Sequence, residues 1–210
     1  MDIHQEWKRA QSKVFWSEIA PCDHVVQIYD NDDQFLNILS EFVADGMRAD
    51  DCVILIVTHM HMEQLTSKLS QSGIDIEAAT KSKQLIALDA EQTLSQFMVN
   101  GWPDETRFTK VIGELLHEAR LQSRQVRAFG EMVAILWAKG FSGATVQLEA
   151  LWNKFIHQQT FTLFCAYPRS GFTENATESM LDICKTHTKV ISAGHQNEVL
   201  YKTSFPLKAS

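Results

Sequence analysis

The sequence predicts an α/β fold: a three-layer domain with a mostly parallel sheet of about five or more strands flanked by helices. Three observations lead there. Short apolar bursts alternate with stretches whose apolar residues recur at helical spacing. One burst, CVILIV at 52–57, is uninterrupted, as expected of a strand covered on both faces. No internal repeat, low-complexity segment or linker divides the 210 residues. The expected organisation is an N-terminal helical extension over 1–20, a single domain over 21–192 and a polar tail over 193–210.

The elements follow in order. HVVQIY at 24–29 reads as the first strand, and Asp30, Asn31 and Asp32 offer caps for the helix after it. That helix carries Phe35, Leu36, Leu39, Phe42 and Val43 on one face and is expected to end at Gly46. The strand at 51–59 precedes a helix through Leu65 and Leu69 that stops at Gly73. QLIALDA at 84–90 reads as a short strand, and GWPDE at 101–105 as a loop with Pro103 near a helix start. Phe108, Val111, Ile112, Leu115, Leu116 and Ala119 form the stripe of the next helix. A fourth strand is expected at 125–131 and a short helix ending at Gly140. A longer helix through Trp152 and a fifth strand stopped by Pro168 come next. A last helix is expected from about Glu174 to Val190.

Composition narrows function. A formal net charge of −7 and the lack of a dense Lys/Arg block argue against direct nucleic-acid binding, which depends on phosphate neutralisation. No apolar run has signal-peptide or membrane-spanning character, so a cytoplasmic location without membrane association is expected. The four cysteines, Cys22, Cys52, Cys165 and Cys184, lie far apart without a C-x-x-C pair, as reduced thiols do. No cofactor is expected.

In parallel α/β sheets ligands gather at the carboxyl ends of the strands. Those ends are Tyr29-Asp30-Asn31, Thr58-His59, Asp89, Gly130-Glu131 and Tyr167-Pro168-Arg169. Glu131 is the unusual residue, a carboxylate in the apolar run VRAFGEMVAILWAKG. Burying it unpaired is costly, so it is expected to face a crevice, with Gly130 letting the backbone turn. The alternatives are a pair with Arg127 or a cap on the helix that follows. Tyr29 and Tyr167 end strands and are expected to donate phenolic hydrogen bonds into one crevice. Trp137 and Trp152 either pack the core or wall a pocket for an apolar molecule. Asn153 follows Trp152, four residues after Glu149, at a spacing that shares a helix face. The expected ligand-binding set is therefore Tyr29, Asp30, His59, Glu131, Trp137, Trp152, Asn153 and Tyr167.

The first strand leads into YDNDDQF, with carboxylates where a phosphate loop needs glycines and a lysine. ATP hydrolysis by that loop is excluded as an expectation. His59 and His61, two apart at a helix start, do not converge on a metal. His24 opens its strand and reads as a structural histidine, His187 as a helical residue without a visible partner. No serine or cysteine has a histidine at a catalytic spacing, so catalysis has no positive sign.

HVVQIY, RAFGEMVAILWAKG, LEALWNKF and FTLFCAYP, in that order, closely resemble the MEDS domain, the methanogen/methylotroph and dichloromethane-regulator sensory domain. The resemblance runs from about His24 to Val190. It implies a relative of the KaiC/RecA-like ATPase core that has lost its phosphate loop. It also implies a role in sensing small, often hydrocarbon-like ligands, with output through a histidine kinase or transcriptional regulator. No kinase core, receiver or helix-turn-helix is present in the 210 residues, so that output is expected in trans. Three readings stay open: a non-catalytic sensory module, a degenerate RecA-like nucleotide-binding protein or ATPase, and a ligand-free scaffold acting as a homodimer.

Overall fold

The computed structural model describes residues 8–172, 183–193 and 198–203. Strands and helices within these residues are labelled in chain order. The parallel core comprises β2 (His24–Tyr29), β3 (Cys52–Val57), β4 (Leu85–Asp89), β7 (Val126–Gly130), β8 (Thr162–Pro168) and β9 (Lys189–Ala193). These six pair in the order β9-β2-β8-β7-β3-β4. At the β9 edge β10 (Glu198–Thr203) and then β1 (Lys8–Gln11) add antiparallel strands.

Two helical layers cover the sheet. One face packs α1 (Ser12–Ser17), α2 (Asp32–Arg48), α3 (His59–Gln71) and α4 (Ile76–Lys81) around Phe35, Phe42, Phe129 and Phe164. The other packs α5 (Ala90–Ser95), α6 (Glu105–Arg120), α7 (Met132–Ala138) and α8 (Ser142–Gln159) around Phe108, Trp152, Phe155 and Tyr167. β3 is buried along its whole length, which is why its sequence is apolar at every position rather than at alternate ones.

The helix starts follow their caps. Asn31, extended at φ −155°, accepts from the Gln34 amide and opens α2, whose first turn carries Asp32 and Asp33. Asp104 caps α6 in the same way.

Four expectations need correction. Gly46 does not end α2, which runs on to Arg48. It is glycine because a Cβ there would lie 2.7 Å from Arg127 Cδ and 2.8 Å from Val53 Cγ2. The segment at 101–105 is not simply a loop, because Trp102–Pro103 forms β6 and pairs with β5 (Met98–Val99). The last helix does not reach Val190, since residues 189 and 190 already belong to β9. Its stretch from 173 to 182 lies outside the described residues. Both ends of the chain contribute strands: residues 8–11 form β1 ahead of the short helix α1, and residues 198–203 form β10 where a polar tail was expected.

Candidate functional site

Glu131 occupies the turn between β7 and α7, with φ −83° and ψ −10°, so the turn is made by Glu131 itself and Gly130 stays within the strand. The side chain is buried and fully engaged across the sheet edge. Its Oε2 accepts from the Thr58 amide at 2.7 Å and from the Thr58 hydroxyl at 3.1 Å. Its Oε1 lies 2.7 Å from His61 Nδ1. The cost of burying this carboxylate is thereby offset by charge-assisted bonds. Neither alternative partner holds: Arg127 pairs with Asp45 and Asp51, and Glu131 makes no side-chain cap to α7.

His61 therefore sits between two carboxylates, with Asp32 Oδ2 3.9 Å from its Nε2. Burial pushes this imidazole down, but the hydrogen bond and charge of Glu131, with Asp32 behind it, outweigh burial and leave it above its ordinary value. Phe35 packs edge-on against His61 and stacks on Tyr29. Burial raises the Tyr29 phenol, and the charges of Glu131 and Asp32 raise it further. This assembly joins the ends of β2, β3 and β7 to the first turn of α3.

The turn after β2 is closed by its own side chains. Gln34 Oε1 accepts from the Asp30 amide at 3.1 Å, Asn31 Oδ1 accepts from the Gln34 amide at 3.0 Å, and Asp30 pairs with Arg169 at 2.5 Å. The Asp30 and Gln34 amides are thus engaged internally, and Asp32 and Asp33 already occupy the favourable end of the dipole.

Three expected residues therefore lie near this edge: Tyr29, Asp30 and Glu131. The other five do not join them. Tyr167 aligns with Ile28, and Tyr29 with Pro168, so side-chain alternation sends the two tyrosines to opposite faces of the sheet. They cannot share a crevice. His59 is exposed and pairs with Glu63 at 3.3 Å. Trp137, on the α7/α8 face, donates to the Gly171 carbonyl at 2.8 Å. Trp152 is core, edge-on to Phe108. Asn153 is half-buried on α8, its carbonyl 2.7 Å from His157 Nδ1. A groove of about 720 Å³ lies at the opposite end of the sheet, between Met47, Arg48, Gly73 and Gln84. At the strand-end side a shallower depression of about 470 Å³ is lined by Asp32, Asp33, Leu36, Gln64 and Lys68.

Sequence reasoning missed His61, whose signal was its place three residues after Thr58, at the third position of α3. It also missed a second polar group, on the other face. His24 on β2, Cys165 on β8, Glu149 on α8 and His187 before β9 bring one ligand atom each to within 4.8 Å of one another, all fully buried. Tyr167 donates to Glu149 Oε1. Burial drives both imidazoles down to about 3, with the Thr186 backbone beside His24 and the Glu149 charge beside His187 only partly opposing it. Burial likewise raises the Glu149 carboxyl, against the influence of His187 and Tyr167. His24 Nε2 lies 3.7 Å from Cys165 Sγ. His187 is not isolated, its Nδ1 lying 2.6 Å from the Ile183 carbonyl.

Among solved structures the chain is similar to PH0250 of Pyrococcus horikoshii OT3. The TM-score is 0.60 and the identity 9%, with 91% of each chain covered. It is also similar to the KaiC-like protein PH0186 of the same hyperthermophilic archaeon. There the TM-score is 0.59 and the identity 11%, with 90% of this chain and 83% of that one covered. At such identities the likeness is one of fold. No curated protein matches the sequence. The model of the MEthanogen/methylotroph, DcmR Sensory domain matches residues 23–188, from the residue before β2 to the residue before β9, and the chain belongs to that MEDS family.

Proposed function

We propose that this chain is the input module of a prokaryotic signalling system, binding a small molecule at the edge formed by β2, β3 and β7 and relaying to a separate output protein. The observation that carries the reading is the Glu131 carboxylate, which ties the end of β7 to the Thr58 amide and His61 at the start of α3. A molecule that competes for Glu131 or His61 has to break those bonds, and so couples its own binding to the position of α3. Two arrangements of α3, with unequal affinity for the ligand, are the minimum a sensor requires. Membership in a sensory family supports the role, and the internally capped turn after β2 argues against nucleotide as the input.

The test is a thermal-shift panel on the purified chain, using dichloromethane, methanol, methylamine and Mg-ATP as separate probes. Dose-dependent stabilisation by a one-carbon compound, lost in Glu131→Gln, supports the reading. Stabilisation by Mg-ATP alone, with phosphate release, favours a nucleotide-binding protein. No response to any probe favours a scaffold.

A further inference from the structure

We propose that His24, Glu149, Cys165 and His187 form a closed, four-ligand site for a divalent first-row transition metal, zinc by preference, on the face of the sheet opposite Glu131. The inference is independent of the sensory reading. It rests on the spacing of the ligand atoms, on an orphaned oxygen and on the donors arranged behind them.

Glu149 Oε2 lies 3.4 Å from His24 Nε2 and 3.6 Å from His187 Nε2, and Cys165 Sγ lies 3.7 Å from His24 Nε2. The nitrogen–oxygen separations exceed the 2.7–3.2 Å of hydrogen bonds, and Glu149 Oε2 has no hydrogen-bond partner although its side chain is wholly buried. They match a different geometry. A tetrahedral ion with metal–nitrogen and metal–oxygen bonds of about 2.0–2.1 Å and a metal–sulfur bond of about 2.3 Å holds its ligands about 3.3–3.6 Å apart, so small shifts gather the four atoms, all within 4.8 Å of one another, onto one ion. Imidazole, carboxylate and thiolate together form a donor set suited to zinc and its neighbours, and unsuited to calcium or magnesium.

The outer contacts fit the same purpose. The Ile183 carbonyl, 2.6 Å from His187 Nδ1, holds the proton on that nitrogen and leaves Nε2 as the donor toward the cluster. Tyr167 donates to Glu149 Oε1, leaving Oε2 for coordination. A dication balanced by one carboxylate and one thiolate makes the buried unit neutral, which removes the cost of an unpaired charge in the core. With four protein ligands, each at most 1% exposed, no position is open to a substrate. The site is structural, fastening β2, β8 and α8 to the segment that enters β9.

Because the site is sealed, loading is tested by unfolding the full chain in a chelator and refolding it with Co(II) or Zn(II). The expected result is about one ion retained per chain after gel filtration and chelator wash. The cobalt form should show intense tetrahedral d–d bands and a thiolate-to-cobalt charge-transfer band. Cys165→Ser abolishes the charge-transfer band, whereas the triple variant Cys22→Ser/Cys52→Ala/Cys184→Ser keeps it. Should Cys165→Ser fail to fold, the wild-type and triple-variant spectra decide alone. A natively folded chain that retains neither metal overturns the proposal, as does a charge-transfer band that follows Cys22, Cys52 or Cys184.

Discussion

His61 Nδ1 and Glu131 Oε1 lie 2.7 Å apart, and the pair joins the first turn of α3 to the end of β7. Seventy residues separate the two in the chain. Both side chains are buried, so their bond is made in a medium where a lost partner is not replaced by water.

Glu131→Gln should lower stability by about 1–3 kcal/mol, because the neutral amide weakens three charge-assisted contacts at once. Urea unfolding of the two chains measures it. The same loss in the His61→Ala/Glu131→Gln double variant as in the sum of the singles means the pair is uncoupled, contrary to the geometry.

The pair also sets a pH dependence with a definite sign. His61 binds its proton more tightly folded than unfolded, so its contribution is fully present below the ordinary imidazole value of 6.5. That contribution fades as pH rises through the higher folded value. Stability of the wild type relative to His61→Asn should therefore fall between neutral and mildly alkaline pH. A difference that grows with pH contradicts the assignment.

Gly46→Ala should destabilise by about 1–3 kcal/mol through overpacking. Alanine is the better helix former by about 1 kcal/mol, so propensity alone predicts the opposite sign. The added Cβ meets Arg127 Cδ and Val53 Cγ2 inside 3 Å, and Arg127 is held by Asp45 and Asp51. Stabilisation in thermal melts would show that the guanidinium moves aside freely.

Arg127→Ala should cost about 3–5 kcal/mol, since it leaves the carboxylates of Asp45 and Asp51 facing each other without their buried cation. Arg127→Met together with Asp45→Leu should recover part of the loss. Full recovery by Arg127→Met alone would mean that the aliphatic stem carries the effect, and neither the ion pairs nor the guanidinium over Phe42.

The order of the central elements was legible because their signals are local. The apolar run of β3, the caps at Asn31 and Asp104 and the stripe of α6 each depend on a few neighbouring residues. Gly46 misled because a glycine kept for a close packing contact looks in sequence like one kept for a helix end. The terminal strands carry no such pattern, and β1 pairs with β10 from the far end of the chain. At the site, Glu131 stood out as a lone carboxylate in an apolar run. His61 was passed over because its partner comes from another strand, and Tyr29 and Tyr167 were joined because strand ends were read without register. The residues His24, Glu149, Cys165 and His187 span most of the chain, and only the sheet order brings them together.

Backbone amide exchange across α3, compared between wild type and Glu131→Gln at one pH, tests the central claim most directly. The account predicts faster exchange confined to the first turns of α3 and the Thr58 amide, with β2 and β8 unchanged. Identical exchange at Thr58 and through α3 in the two proteins would contradict it, because Glu131 would then hold nothing that a ligand could release.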